Sequence, residues 1–400
     1  MAMEGPEEQR GFETEAVHGA EGIDPYRALT PPIYMTSTYT FPSMETVDRV
    51  LGGEEEGYVY SRASNPTVRQ FERTMALLEG GEEGVAFSSG MGAIAALLLS
   101  WLKKGTPLLF SRHLYSGTRL FIESMLIPLG ATVRFVDFRE QGSSCARLEE
   151  ELREGAAGLF LETPSNPTLD IVDLAVVASL CRSYGVPLAV DNTFASPALQ
   201  KPLEDGADIV IHSATKYLGG HGDLLGGVAV GARETILALR AAEASLLGAT
   251  LSPMNAWLIL RGLKTLALRM VAHSVRASAL ARLLSEKAPV VRVHYPGLPE
   301  HPGHEIACRQ MKGMGGMLAV QFASGKAART FMDGLRIIRI GVSLGDPGSL
   351  VEHPSSMSHR GWSAEVRRAM GIEDGLVRMS VGLESPDDLC GDVEAALTRL

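Results

Sequence analysis

Between residues 66 and 262, short apolar runs alternate with longer stretches whose apolar positions recur at helical spacing. Such alternation predicts a mostly parallel sheet wrapped by helices. Strands are expected at Gly84 to Phe87, Pro107 to Phe110, Thr132 to Val136, Gly158 to Leu161, Pro187 to Val190, Asp208 to Ile211 and Gly227 to Val230. Residues 1–65 are rich in Gly, Pro, Glu and Thr and show no sustained helical period, so an extended arm is expected there. After Leu263 the pattern gives a helix to about Ala288, strands at Val290 to Tyr295 and Met317 to Phe322, another helix and a terminal segment. The 400 residues are too many for one core, and the chain divides into an arm (1–65), a large α/β domain (66–262) and a smaller α+β domain (263–400).

Several expected strands lead straight into polar residues: Ser88-Ser89, Glu162-Thr163, Asp191-Asn192 and His212-Ser213. In an open parallel sheet, ligands bind beyond the carboxyl ends of the strands, where these residues would converge. With 45% apolar and 21% charged residues the chain is globular, and its net charge of -10 repels a polyanionic backbone. A small metabolite is therefore the expected partner, not nucleic acid. The first twenty residues are acidic and lack an apolar targeting core, and nowhere do eighteen apolar residues run together. No membrane partner is expected, and the cytoplasm is the expected location. Cys145, Cys181, Cys308 and Cys390 lie far apart and read as reduced structural thiols, and no metal site is expected.

The strongest chemistry lies in Asp191-Asn192-Thr193-Phe194 and Ser213-Ala214-Thr215-Lys216-Tyr217-Leu218-Gly219-Gly220. An acid at one strand end and a lysine just past the next would share a rim of the sheet. Low-dielectric walls there favour the neutral amine, which is the nucleophilic form. Pyridoxal phosphate (PLP) chemistry needs such an amine to form an imine, and a carboxylate to keep the pyridine nitrogen protonated. Lys216 and Asp191 supply that pair, and the hydroxyls of Ser213 and Thr215 suit the cofactor phosphate. The alternative is a solvated loop lysine beside an ordinary turn aspartate.

Ser89-Gly90-Met91-Gly92 precedes an apolar helix, where backbone N–H groups and close approach at glycine form an anion site. The same stretch fits G-x-G-x-x-A, so a nicotinamide-dependent oxidoreductase stays open, although the next strand end offers Ser111-Arg112 and no acid for a ribose. A purely structural turn is also open. Tyr115 could stack on a pyridine ring or act as an acid or base, and could equally be structural. In the arm, Tyr60 and Arg62 are potential phosphate donors, or simply solvated.

Tyr60-Ser61-Arg62, Asn65-Pro66-Thr67, Ser89-Gly90-Met91, Glu162 to Pro167, Asp191-Asn192-Thr193, Ser213 to Lys216, Ser343 to Asp346 and His353-Pro354 together resemble the Cys/Met-metabolism (trans-sulfuration) family of PLP enzymes. The likeness runs from about Gly11 to Leu397. It implies a type I, aspartate-aminotransferase-like fold and a homotetramer of two tight dimers. It makes Tyr60 and Arg62 phosphate ligands for the neighbouring subunit's cofactor, and Gly90, Met91, Ser213 and Thr215 ligands within the subunit. Tyr115 would stack on the ring, Asn166 approach its 3-oxygen and Asp191 pair with its nitrogen, while Arg378 and Ser343 would bind the substrate carboxylate.

Within the family, Val342 to Asp346, His353 to His359 and Gly375 to Glu384 look most like methionine gamma-lyases. Val342 stands where cystathionine enzymes commonly carry a glutamate, and Gly117 where methionine gamma-lyases typically carry a cysteine. Ala244 and Ser245 replace a lysine and aspartate of the latter, and Asn255-Ala256-Trp257 is reminiscent of sulfhydrylases. The expected reaction is gamma-elimination on methionine or homocysteine, with Lys216 shuttling the alpha proton and Tyr115 protonating the leaving thiolate. Gamma-replacement on an O-acylhomoserine is the alternative.

Overall fold

The structure, a computed structural model, describes residues 10–19, 26–139, 141–241 and 245–400. The acidic stretch before residue 10, Ala244 and the side chain of Ser245 lie outside that description. Strands β1 (Glu83–Phe87), β2 (Leu108–Ser111), β3 (Val133–Val136), β4 (Gly158–Glu162), β5 (Leu188–Asp191), β6 (Ile209–Ser213) and β7 (Gly227–Gly231) form one sheet in the order β1-β7-β6-β5-β4-β2-β3. Strands β2 to β6 are parallel, and β7 is antiparallel to both neighbours, β1 and β6. Two reversals restore the direction of β1, so the carboxyl ends of β1, β2, β4, β5 and β6 share one rim.

Every strand expected in this region is present, within two residues at each end. They are legible because β1, β2, β4, β5 and β7 are buried along their whole length, which requires uninterrupted apolar runs. One face is covered by the helix Pro66–Glu79, which places Phe71, Met75 and Leu78 in a core with Val228 and Val230. Asn65 caps that helix by accepting the Thr67 N–H at 3.0 Å, Pro66 occupies the first turn where no donor is needed, and Gly80 ends it at φ 76°. The helix Gly90–Ser100 packs Ile94, Leu97 and Leu98 on the opposite face against Val85, Phe110 and Ile211. Each such large side chain, fully buried, contributes about 1.5–3 kcal/mol.

A second sheet contains β8 (Val290–His294), β9 (Met317–Phe322), β10 (Arg339–Ile340), β11 (Leu350–Glu352) and β12 (Leu376–Ser380), in the order β10-β11-β12-β9-β8. The apolar pattern revealed only β8 and β9. The helix Leu266–Ser285 ties the two parts together, with Leu266 and Met270 in the core beside Phe71, and Ala277, Leu280 and Leu284 in the core of the second sheet. The arm is not wholly extended: Phe12–His18 and Met44–Leu51 are helices of seven and eight residues, too short to reveal a period. All four cysteines are free thiols, but Cys308 is exposed and is not the packed structural residue expected. No helix among the described residues is long and apolar enough to cross a membrane.

Candidate active site

A cleft of about 650 Å³ opens beyond the shared rim, walled on its far side by residues 342–346 and β12. At its floor, Glu162 ends β4 and Asp191 ends β5. Asp191 Oδ1 accepts from the Thr193 N–H at 3.0 Å and the Thr193 hydroxyl at 2.5 Å, and that hydroxyl oxygen accepts the Ser213 N–H at 2.9 Å. The carboxyl is thereby fixed between two strand ends, with Oδ2 left for a ligand. Burial pushes the Asp191 carboxyl up, and the two Thr193 bonds oppose that rise. Glu162 Oε2 accepts the Tyr115 N–H at 2.7 Å. Burial, and then the nearby Asp191, hold the Glu162 carboxyl well above the usual range.

Lys216 follows β6, and its Nζ donates to Ser343 Oγ at 3.1 Å across the cleft. Burial, then the Arg378 guanidinium, lower its pKa, while Asp346 and Glu352 act in the opposite direction. The amine is thus poised towards its nucleophilic form. Gly90 and Met91 line the cleft at a helix start, where the first backbone N–H groups lack helical partners. A Cβ at Gly90 would lie 2.8 Å from Ser213 Cβ, so the absence of a side chain lets this turn touch the end of β6. The Thr215 hydroxyl is engaged with Gly226, accepting its N–H at 3.1 Å and donating to its carbonyl at 3.3 Å.

Arg378, on β12, is buried. Its Nη1 reaches Asn166 Oδ1 at 3.0 Å and Glu352 Oε1 at 3.2 Å, and Nη2 donates to the carbonyls of Val342 at 3.0 Å and Ser343 at 3.2 Å. This fixes a guanidinium at the wall of the cleft, where it can meet a carboxylate. Tyr115 stands at the start of the helix Ser116–Phe121 with its ring half-exposed into the cleft, and burial followed by Glu162 raises its phenol pKa. Tyr60 and Arg62 are not part of this cleft; the Arg62 guanidinium lies 5.6 Å from the centroid of the Tyr60 ring.

Ten of the twelve site residues expected from sequence therefore converge, and Tyr60 and Arg62 do not. Sequence reasoning missed Glu352 as the buried partner of Arg378, and Asp346 as a cleft residue near Lys216. The polar residue inside the apolar run of β12 was the available signal for Arg378 itself. Arg112, at the strand end after the Gly90 turn, pairs with Asp137 at 3.3 Å.

An amine, a carboxylate with one oxygen to spare and a helix start flanked by hydroxyls form a donor set that fits PLP. The family model for Cys/Met metabolism PLP-dependent enzymes matches residues 13–398. The chain is 43% identical over 400 residues to L-methionine gamma-lyase of Pseudomonas putida, covering 99% of both chains. It is 41% identical to O-succinylhomoserine sulfhydrylase of Pseudomonas aeruginosa, covering 98% of this chain and 96% of that one. Among solved structures, cystathionine gamma synthase from Xanthomonas oryzae pv. oryzae superposes with a TM-score of 0.91 at 40% identity, covering 98% of both chains. The architecture, a large mostly parallel sheet with a smaller second sheet, is the type I PLP fold. The chain belongs to the Cys/Met metabolism family of PLP-dependent enzymes.

Proposed function

We propose that the cleft holds PLP on Lys216 and eliminates the gamma substituent of an L-sulfur amino acid, methionine or homocysteine, which with one water gives a thiol or hydrogen sulfide, ammonia and 2-oxobutyrate. The observation that carries this reading is the Lys216 amine, lowered in pKa by burial, on one rim with Asp191 and facing Arg378. When bound, the cofactor supplies an electron sink for the substrate carbanion. Asp191 Oδ2 would hold its ring nitrogen, Gly90, Met91, Ser213 and Thr215 its phosphate, Asn166 its 3-oxygen, and Tyr115 would stack on its ring.

Arg378, with Ser343, would clamp the substrate carboxylate and so place the alpha carbon within reach of Lys216 Nζ. Lys216 takes the alpha proton and shuttles it, and the Tyr115 phenol, whose raised pKa keeps it protonated, gives its proton to the departing thiolate. The outer cleft is apolar: Val342 is 58% and Leu225 60% exposed there. The Val342 and Leu225 side chains suit a methyl thioether. The likeness to a sulfhydrylase favours gamma-replacement on an O-acylhomoserine as a second reading, since both reactions share the same early proton transfers.

Tyr60 and Arg62, off the cleft of their own chain, would reach the phosphate in a neighbouring subunit, which makes the arm intersubunit; from the family likeness, the assembly we infer is a homotetramer of two such dimers. The exposed arm residues Tyr26, Leu29, Met35 and Met44 support a second chain against this segment. The cytoplasm is the location we infer, from the acidic, globular composition. Product analysis tests the reading: methionine or homocysteine should release 2-oxobutyrate faster than cystathionine or O-acetylhomoserine, and Lys216→Ala should abolish turnover. Full activity in that variant, or turnover only when an acceptor thiol is added, overturns elimination.

A further inference from the structure

Asp346 shares the cleft with Lys216, yet one of its oxygens, Oδ1, is buried without a hydrogen-bond donor. An unsatisfied buried acceptor is costly, and sites that retain one commonly have a partner that arrives during function. The backbone is built to admit this carboxyl. Gly222 adopts φ +70°, and a Cβ there would stand 3.0 Å from Asp346 Cγ. Lys216 has the complementary need. Its Nζ has Ser343 Oγ as hydrogen-bond acceptor at 3.1 Å, whereas a protonated amine carries three donors.

The charges around the pair sharpen that need. Facing Lys216 are the Arg378 cation from β12, Glu352 from β11 and Asp346 from the loop before it. Glu352 is already paired with Arg378 at 3.2 Å. Facing Asp346 are Lys216 and, from the loop after Lys216, His221 and Asp223. Of the two carboxyls acting on Lys216, Asp346 is thus the one with no ion-pair partner among the described residues.

We propose that Asp346 is a positioning residue for Lys216: its carboxylate receives the lysine ammonium each time Nζ is released from the cofactor and takes up a proton. The proton comes from the substrate alpha carbon to Nζ and is handed on from Nζ to the substrate skeleton, so Asp346 neither gains nor loses one; it balances the charge and aims the group. The inference rests on Lys216 being the cofactor lysine.

The test uses cofactor-free wild type, Asp346→Asn and Asp346→Glu, with PLP added across a pH series while the visible band is followed. Only the neutral amine attacks an aldehyde, so the midpoint of uptake rate against pH reports the ionisation of Lys216. Removing the carboxylate should lower that midpoint by about one pH unit, and the Glu variant should restore most of it. With methionine, kcat of the Asn variant should fall about tenfold while KM stays near the wild-type value, because Asp346 does not hold the substrate. An unchanged midpoint in the Asn variant of an enzyme whose wild type does load Lys216 overturns this inference alone. A wild type that takes up no PLP on Lys216 overturns the reading of the site and this inference with it.

Discussion

Glu162 and Asp191 are register partners at the ends of adjacent parallel strands, and neither makes an ion pair among the described residues. Two neighbouring buried carboxyls cannot both ionise without a large electrostatic cost. Burial, then Asp191, hold Glu162 well above the usual range despite the Tyr115 and Asn166 N–H groups, whereas at Asp191 the two Thr193 bonds are the leading opposition to burial, so Glu162 keeps its proton and Asp191 is the one available to a ring nitrogen.

This assignment fixes a sign for stability against pH. The folded pKa of Glu162 lies above its unfolded value, so its contribution is full at low pH and is lost as pH rises through the folded value. Glu162→Gln keeps an acceptor for the Tyr115 N–H and cannot ionise. Urea midpoints measured from about pH 5 to about pH 9 should therefore fall less with rising pH in the variant than in the wild type. Parallel curves would mean that Glu162 is already ionised.

The same pair marks what was readable in advance. Asp191 and Lys216 stood out because each follows a run of apolar residues long enough to be a strand, and the polar residue after such a run must sit at the sheet's rim. Arg378 and Glu352 were hidden because β11 and β12 place charges inside buried segments, and only the ion pair across the two strands makes that arrangement tolerable. Tyr60 and Arg62 lie on an arm whose place is set by packing that apolar periodicity does not describe.

Gly117 controls where the Tyr115 ring can lie. A Cβ at this position would fall 2.5 Å from Tyr115 Cε1 and 3.0 Å from Cζ, so Gly117→Ala must displace the ring. The phenol moves with it, and a shift on the order of 1 Å in a catalytic group costs up to about 100-fold. We expect kcat to fall by at least tenfold, with the urea midpoint nearly unchanged because the ring is 43% exposed. Unaltered kcat would show that the ring position is not set by residue 117.

Away from the cleft, Glu72 is the hub of a buried ionic cluster. Its Oε2 meets Arg69 at 2.7 Å and Arg240 at 2.8 Å, while Oε1 accepts the Ala86 N–H at 2.8 Å. Replacing it with Ala leaves two partly buried guanidinium groups short of a counter-charge and should cost about 3–5 kcal/mol in urea unfolding. Glu150→Ala, at the exposed Arg147 pair, should cost about 1 kcal/mol or less. Burial pushes the neighbouring Glu83 carboxyl up more than any one partner pulls it down, but the Arg69 hydrogen bond and charge, the Gly84 N–H and the Arg240 charge together outweigh it and the net pKa is lowered. The stability that Glu83 contributes is therefore present above its unfolded pKa and is lost as pH falls through the folded value. Unfolding at acid pH should show this loss, and Glu83→Gln should remove it.

Arg378 allows a sharper test of substrate recognition than simple deletion. Alanine there would strand the fully buried Glu352, confusing lost binding with lost stability. Lysine preserves the charge but concentrates its donors on one nitrogen, so it cannot hold Asn166, Glu352 and the Val342 and Ser343 carbonyls, which take up both Nη atoms of Arg378, while also keeping an N–H, as Nε does, for a carboxylate. Arg378→Lys should raise KM for methionine by about 10- to 100-fold, the loss of one charge-assisted hydrogen bond of about 1.5–3 kcal/mol, with a smaller change in kcat. Binding of the amide of methionine, which lacks the carboxylate, should change little between the two proteins. Equal weakening of acid and amide would place the substrate carboxylate elsewhere in the cleft.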